Sequence, residues 1–257
     1  MKKKTDWIYN LLPVVSLGVV LGLWLLLCAR MPGVMPTPPA VIKKIWDITI
    51  HPISKAILPV HILVSLGRVL AAFLLASVFG VLFGVAMGRY ATAHDIVWPV
   101  FEIIRPIPPI AWIPLIILWC GIGETSKVVI VFIGAVVPII LNTYAGIRQV
   151  DPMLLKAAKT VGAGDVATMM EVVLPASLPS IVAGMKTALS TGWMCVLAAE
   201  MVVARQGVGF LIIRGMDSGD SALIVAGMIV IGVVSALITA GLNLLEVKLC
   251  PWNAKQK

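Results

Sequence analysis

Residues 61–87 read HILVSLGRVLAAFLLASVFGVLFGVAM, and this stretch decides the fold. It carries one permanent charge, Arg68. About 20 mainly apolar residues are enough for a helix to cross the hydrocarbon of a bilayer. A barrel strand would instead alternate apolar and polar side chains over about ten residues. Runs of the same kind recur at about Leu11–Cys28, Val100–Cys120, Ser126–Ile147, Ser177–Val203 and Ser221–Leu245. The expectation is an all-α polytopic membrane protein with about six transmembrane helices in one membrane domain, residues 1–257. Composition agrees, with 60% of 257 residues hydrophobic and 12% charged. A soluble domain has about 25% charged residues.

The segments between spans are also informative. Residues 29–59 are rich in proline and include Lys43, Lys44 and Trp46, a pattern suited to a helix lying at the membrane surface. The N-terminal Met1-Lys2-Lys3-Lys4 before an apolar run resembles a secretory signal. Leu27 occupies the place where a lipoprotein site before Cys28 wants a small residue, so the segment reads as a retained first span. With the N-terminus inside, the inner loops hold ten Lys and Arg, including Lys2, Lys3, Lys4, Lys248, Lys255 and Lys257, and the outer loops hold seven. The bias places both termini in the cytoplasm. The net charge of +8 is spread over loop ends, with no basic stripe for nucleic acid.

Catalytic chemistry is not encoded. No G-x-x-x-x-G-K-[ST] phosphate loop occurs, so ATP hydrolysis is not expected in this chain. His51, His61 and His94 stand apart, and Cys28, Cys120, Cys195 and Cys250 form no C-x-x-C pair. No metal or cofactor is expected. The charges inside or beside spans are Arg68, Glu102, Arg105, Lys186 and Glu200. Such groups either line a pathway or pair and snorkel. The third span contains Pro106, Pro108, Pro109 and Pro114, which rule out a regular helix. That segment either lines a watery path or is a structural kink. Candidate pathway residues are therefore Arg105, Pro106, Pro108, Pro109, Trp112, Lys186, Trp193 and Glu200. Gly80, Gly84 and Gly88 let helices approach closely, within one subunit or at a dimer seam.

The loop at 148–176 is the most structured. Asp151 suits an N-cap and Pro152 the first helical position. Gly162 or Gly164 can end that helix in a left-handed conformation. Asp165 is then expected to cap a second helix, Val166 to Val173, ended by Leu174-Pro175. Ala157, Ala158 and Gly162 leave room for a close neighbour, with Met153, Leu154, Met169 and Met170 as apolar anchors. Spacing alone leaves two readings open, a surface that docks another protein and a loop packed on its own membrane domain.

The run Ala157-Ala158-x3-Gly162-x9-Val172-x-Leu174-Pro175 resembles the "EAA" motif of permease subunits of ABC importers, with Lys156 where that family usually has Glu. The resemblance extends to Pro36-Thr37-Pro38, the Arg105–Leu115 run, Gly121–Lys127, Gly192-Trp193, Ala198-Ala199-Glu200, Gly207-x-Gly209-Phe210 and Pro251-Trp252. It is closest to the taurine and aliphatic sulfonate permeases of the nitrate/sulfonate/bicarbonate group. The resemblance implies a type I importer permease fold in a bacterial inner membrane, working as a homodimer. It implies two cytoplasmic ATPase subunits, which would bind ATP and Mg, and an extracytoplasmic substrate-binding protein. Leu155, Lys156, Ala157, Ala158, Lys159, Gly162, Ala163, Leu174 and Pro175 would form the ATPase-docking coupling element. The runner-up is a stand-alone secondary transporter or channel for a small solute.

Overall fold

The computed structural model describes residues 3–249. Lys2, Cys250, Pro251, Trp252, Lys255 and Lys257 lie outside the described residues. The chain runs α1 (Lys3–Arg30), α2 (Pro38–Ile50), α3 (Leu58–Arg89), α4 (Ala91–Ile104), α5 (Ile113–Cys120), α6 (Glu124–Arg148), α7 (Pro152–Thr160), α8 (Asp165–Ala167), α9 (Leu174–Val203), α10 (Val208–Asp217) and α11 (Ser221–Leu249). Five segments are each long and apolar enough to cross a membrane: Leu12–Arg30, Leu58–Arg89, Glu124–Arg148, Asp165–Val203 and Ser221–Leu244. A sixth arises only if Ala91–Ile104 and Pro109–Cys120 count together, and these meet at 84°.

That bend corrects the third span. It begins at Ala91 rather than Val100 and breaks between Ile104 and a 3-10 turn at Pro109–Trp112. The cause is local. Pro106, Pro108 and Pro109 supply no amide hydrogen, so the α ladder cannot continue. The last bonds before the break run from Arg105 N to Phe101 O at 2.8 Å and from Ile107 N to Ile104 O at 3.1 Å.

Helix α6 is the centre of the packing, with α3 on one flank and α9 on another. Lipid tails are as apolar as leucine, so close van der Waals contact must hold these helices together. Small residues provide it. A Cβ added at Gly80, Gly84 or Gly88 of α3 would come within 2.5–2.8 Å of Ile139, Thr143 or Ile147 of α6. The glycine repeat is therefore a seam within the subunit. On the α9 side, Gly146 meets Ser180, Gly184 meets Asn142, and Gly134 meets the Cys195 sulfur. Val69, Ile130, Val131, Trp193 and Val196 fill the core between these seams.

The remaining elements sit around this core. Most apolar side chains from Leu12 to the end of α1 are exposed, and Trp24 ties the helix to the following loop by donating to Pro36 O at 3.0 Å. Helix α2 is amphipathic as expected, burying Val41 and Ile48 while Trp46 stays outside. Lys44 of α2 meets Asp220 at 2.7 Å, between α10 and α11. The short α10, unexpected from hydropathy, packs Val208 and Leu211 against α11.

A second correction concerns Leu174-Pro175. These residues do not end a helix. One continuous helical path runs from Asp165 to Val203, with π geometry at Thr168–Val173. The proline ring would clash with the carbonyl four residues back, at Glu171, in a regular α turn. A wider turn just before Pro175 relieves that clash, and π turns of this kind are often placed at functional positions.

Candidate functional site

One end of the molecule is built by α7 and the start of the α8–α9 path. Asp151 caps α7, its carboxylate accepting from Met153 N at 2.8 Å. Gly162 ends it at φ +77°, with Ala163 N donating to Ala158 O at 3.0 Å. The helix has two faces. Ala158 is buried and Leu155 half-buried, and Leu155, Met169 and Leu174 pack on Ile147, Val150 and Val173. Lys156, Ala157, Lys159, Gly162 and Pro175 are exposed, and Ala163 is half-buried. Ala158 and Met169 therefore serve the subunit's own packing, one of the two readings that spacing left open, and do not lie on the outward face. The outward apolar residues are Met153, Leu154, Val161, Val166 and Met170. Arg89, at the end of α3, reaches Asp165 at 3.2 Å. Asp165 makes no side-chain cap to its own helix, contrary to expectation.

The bend in the third span gathers another group. Arg105, Pro109 and Trp112 line a 160 Å³ cavity with Gly134, Pro138 and Thr191. Pro106 and Pro108 are exposed beside it. Arg105 pairs with Glu102 at 3.1 Å, and the buried Trp112 Nε1 has no partner. Trp193 lies in the helix core instead, with its Nε1 also unpartnered. Lys186 pairs with Glu246 of α11. Of the candidate pathway set, the structure brings together only the residues of the bend.

Glu200 belongs to the opposite end. It is fully buried and accepts from Arg68 Nη1 at 2.6 Å and Gly209 N at 3.0 Å. Ser65 Oγ lies 2.8 and 2.9 Å from its two oxygens and itself accepts from Val208 N at 3.0 Å. Arg68 forks onto Glu124 at 2.6 and 2.8 Å and donates to Gln206 O at 2.8 Å. Lys127 meets Glu124 at 2.8 Å. His61 Nδ1 accepts from Gly207 N at 3.0 Å, which leaves Nε2 to carry the proton facing Ile53 O at 3.2 Å. The first turn of α10 is thus capped by three buried side chains of α3 and α9. Two cations balance two acids, and that balance makes their burial tolerable. Sequence reasoning marked Arg68 and Glu200 singly. Arg68 is the lone charge of residues 61–87 and Glu200 the lone acid of residues 177–203, and those opposite signs were the available signal for a pair. Ser65, Glu124 and Lys127 were missed as members. Among the described residues, no group of three His, Cys, Asp or Glu could hold a metal ion.

Comparisons with known proteins bear on this architecture. A family model described as "Binding-protein-dependent transport system inner membrane component" matches residues 76–251. The chain is 32% identical to the taurine transport system permease protein of Escherichia coli (strain K12), over 95% of this chain and 90% of that protein. It is 28% identical to a nitrate import permease protein of Synechocystis, over 100% of this chain and 95% of that protein. In structure it resembles a chain of the MetNI methionine ABC transporter in an inward-facing conformation. That likeness has a TM-score of 0.58 at 18% identity and covers 83% of this chain and 99% of that one.

Proposed function

This chain belongs to the family of binding-protein-dependent transport system inner membrane components, and on that premise we propose that it moves a small organic anion or zwitterion, taurine or another aliphatic sulfonate, across the membrane. It is the permease subunit of an ABC importer. The finer reading rests on one observation, the 32% identity to a taurine permease along nearly the whole chain. Nitrate is the second reading, supported by the match to a nitrate permease over the full length.

In this reading α7 faces the cytoplasm, both termini lie on that side, and two copies of the chain form the pathway. Two ATPase subunits bind ATP and Mg, and each seats one α7 in a groove. Met153, Leu154 and Val161 enter the groove, and Lys156, Ala157 and Lys159 set its charge and clearance. The chain's own contribution is transmission. Helix α7 is held through Leu155 to the cluster of Ile147, Val150 and Val173, which also takes Val85 of α3, and Arg89 holds Asp165 to α3. From Asp165 the helical path reaches Val203 at the far end. A shift at α7 therefore moves α9 as a lever, with the π turn as its weakest point. ATP binding shifts the permease between states only through the differing fit of α7 to open and closed ATPases. An extracytoplasmic binding protein delivers cargo at the far end.

Reconstitution of this chain with its ATPase and binding protein in vesicles tests the proposal. Labelled taurine, ethanesulfonate and nitrate would be supplied in turn. Taurine or ethanesulfonate uptake that needs ATP inside and binding protein outside is the expected result. Nitrate uptake alone would replace the sulfonate reading, and uptake without ATP would remove the importer mechanism.

A further inference from the structure

The end opposite α7 holds a cleft of about 720 Å³ that neither the docking element nor the bend uses. Arg68 and Lys127 form its floor, with side chains 6% and 4% exposed. Lys55 and Arg205 stand at its rim. Glu124 is the one acid among the lining residues. Glu200 lies behind Arg68, out of reach of the cleft. Even with Glu200 included, four cations face two acids.

Two details mark the cleft as built. Glu124 sits on Arg68 and Lys127 as an oxyanion sits in a clamp, both carboxylate oxygens taken by the guanidinium fork. Yet its side chain is 65% exposed, on the first residue of α6. The buried cations are thus matched by an acid that can swing into water. The second detail is the turn carrying Lys55. Ser54 and Lys55 have φ of +51° and +69°, in the left-handed region that favours glycine. The turn is closed by Ile53–Ala56 bonds of 2.9 and 3.1 Å and braced by His61. Strained backbone held in place by its surroundings concentrates at functional sites. Here the strain keeps Lys55 at the rim.

We infer that this cleft receives a small organic anion, a sulfonate or carboxylate, whose oxygens replace the Glu124 carboxylate on Arg68 and Lys127. The inference rests on the proposed orientation, which makes the cleft the outer mouth, and on an anionic cargo. The excess of positive charge within a concave wall raises the local anion concentration. One oxyanion replaces another on the same donors, so the exchange is close to balanced. Occupancy is therefore weak and reversible, as conduction requires. Burial of the floor cations favours a small ligand over an acidic protein loop, which would meet mainly the rim.

The test is calorimetric titration of the purified permease in nanodiscs with sodium ethanesulfonate, at ionic strength fixed by sodium chloride. The wild type binds weakly. Glu124→Gln removes the internal competitor and binds at least about tenfold more tightly, equal to about 1.4 kcal/mol. The double variant Lys55→Gln/Arg205→Gln changes exposed positions, keeps the wild-type thermal midpoint and binds at least about tenfold more weakly. Equal binding by all three proteins, or binding by none, overturns the inference. Loss of binding-protein co-elution in the double variant, with ethanesulfonate binding unchanged, assigns the cleft to that protein and also overturns it. Uptake by the reconstituted complex separates the two claims. Wild-type uptake kinetics in the double variant remove the cleft and leave the transport reading standing. Ethanesulfonate binding without uptake of any anion does the reverse.

Discussion

Replacing Glu200 with alanine should weaken the protein more than any other single charge deletion at that end. The carboxylate accepts from Arg68, Ser65 and Gly209, and its side chain is fully buried. Breaking a buried ion pair by removing one partner costs about 3–5 kcal/mol, because the other charge is left behind. Arg68 keeps Glu124 and the Gln206 carbonyl, so the lower end of that range applies to the charge. Loss of the acceptor for Gly209 N, a buried donor, adds about 1 kcal/mol. The sum is about 4 kcal/mol. A chain of this size loses about 2–4 °C of thermal midpoint per kcal/mol, so a drop on the order of 10 °C is expected. Glu200→Gln keeps the shape and an acceptor and should lose about half as much. Glu124→Gln, on the exposed side of Arg68, should lose about 1 kcal/mol. The assay is thermal unfolding in nanodiscs, with protease nicking near Arg205 as a local probe of α10. A Glu200→Ala midpoint within 2 °C of wild type, or equal losses for the Glu200 and Glu124 variants, would refute the claim that this network pins α10.

Three further predictions follow from packing, backbone conformation and charge. Gly84→Ala places a Cβ 2.5 Å from Thr143 Cβ and should cost about 1–3 kcal/mol, whereas Gly18→Ala, with nothing within 4 Å, should leave the melting curve unchanged. Gly162→Ala meets no neighbour but forces φ +77° on alanine, so it should cost about 1 kcal/mol and reduce ATPase co-purification, with Gly162→Asn restoring most of both. Burial raises the Asp220 pKa, but the Lys44 ammonium and the Leu223 and Ala222 amides outweigh it and hold the carboxyl below its ordinary value. Its contribution is therefore full above about pH 4 and lost as pH falls through the lowered folded value. The thermal midpoints of wild type and Asp220→Asn should differ at pH 7 and converge in acid.

Much of the architecture is legible in residue order because bilayer crossing is a one-dimensional constraint. Five long helices can be read from apolar runs, and the Asp151–Pro152 start and Gly162 stop of α7 from local chemistry. What escaped reading was whatever depends on contact between distant segments. Ala158 could be read as part of an open face, but it is buried because α7 turns Leu155 onto Ile147, Val150 and Val173, which hydropathy does not relate to it. Pro175 looked like a terminator because the rule assumes α geometry, and a π turn absorbs the ring. The break in the third span was legible in Pro106, Pro108 and Pro109, but its start at Ala91 was not, because Ala91–Asp95 carry little apolar signal. Arg68 and Glu200, 132 residues apart, meet only through the packing of α3 beside α9. Helix α10 is too short for a hydropathy signal and exists because Glu200, Ser65 and His61 satisfy its first amides.

The proposed role of α7 as the surface that meets the ATPase is tested most directly by site-directed photocrosslinking. A benzophenone amino acid at Val161, 82% exposed beside α7, would be irradiated in membranes containing the full complex. The control position is Leu118, 79% exposed at the opposite end. An ATPase adduct from Val161 and none from Leu118 is the predicted result. An ATPase adduct from Leu118, or none from Val161 in a complex that still hydrolyses ATP, would contradict it.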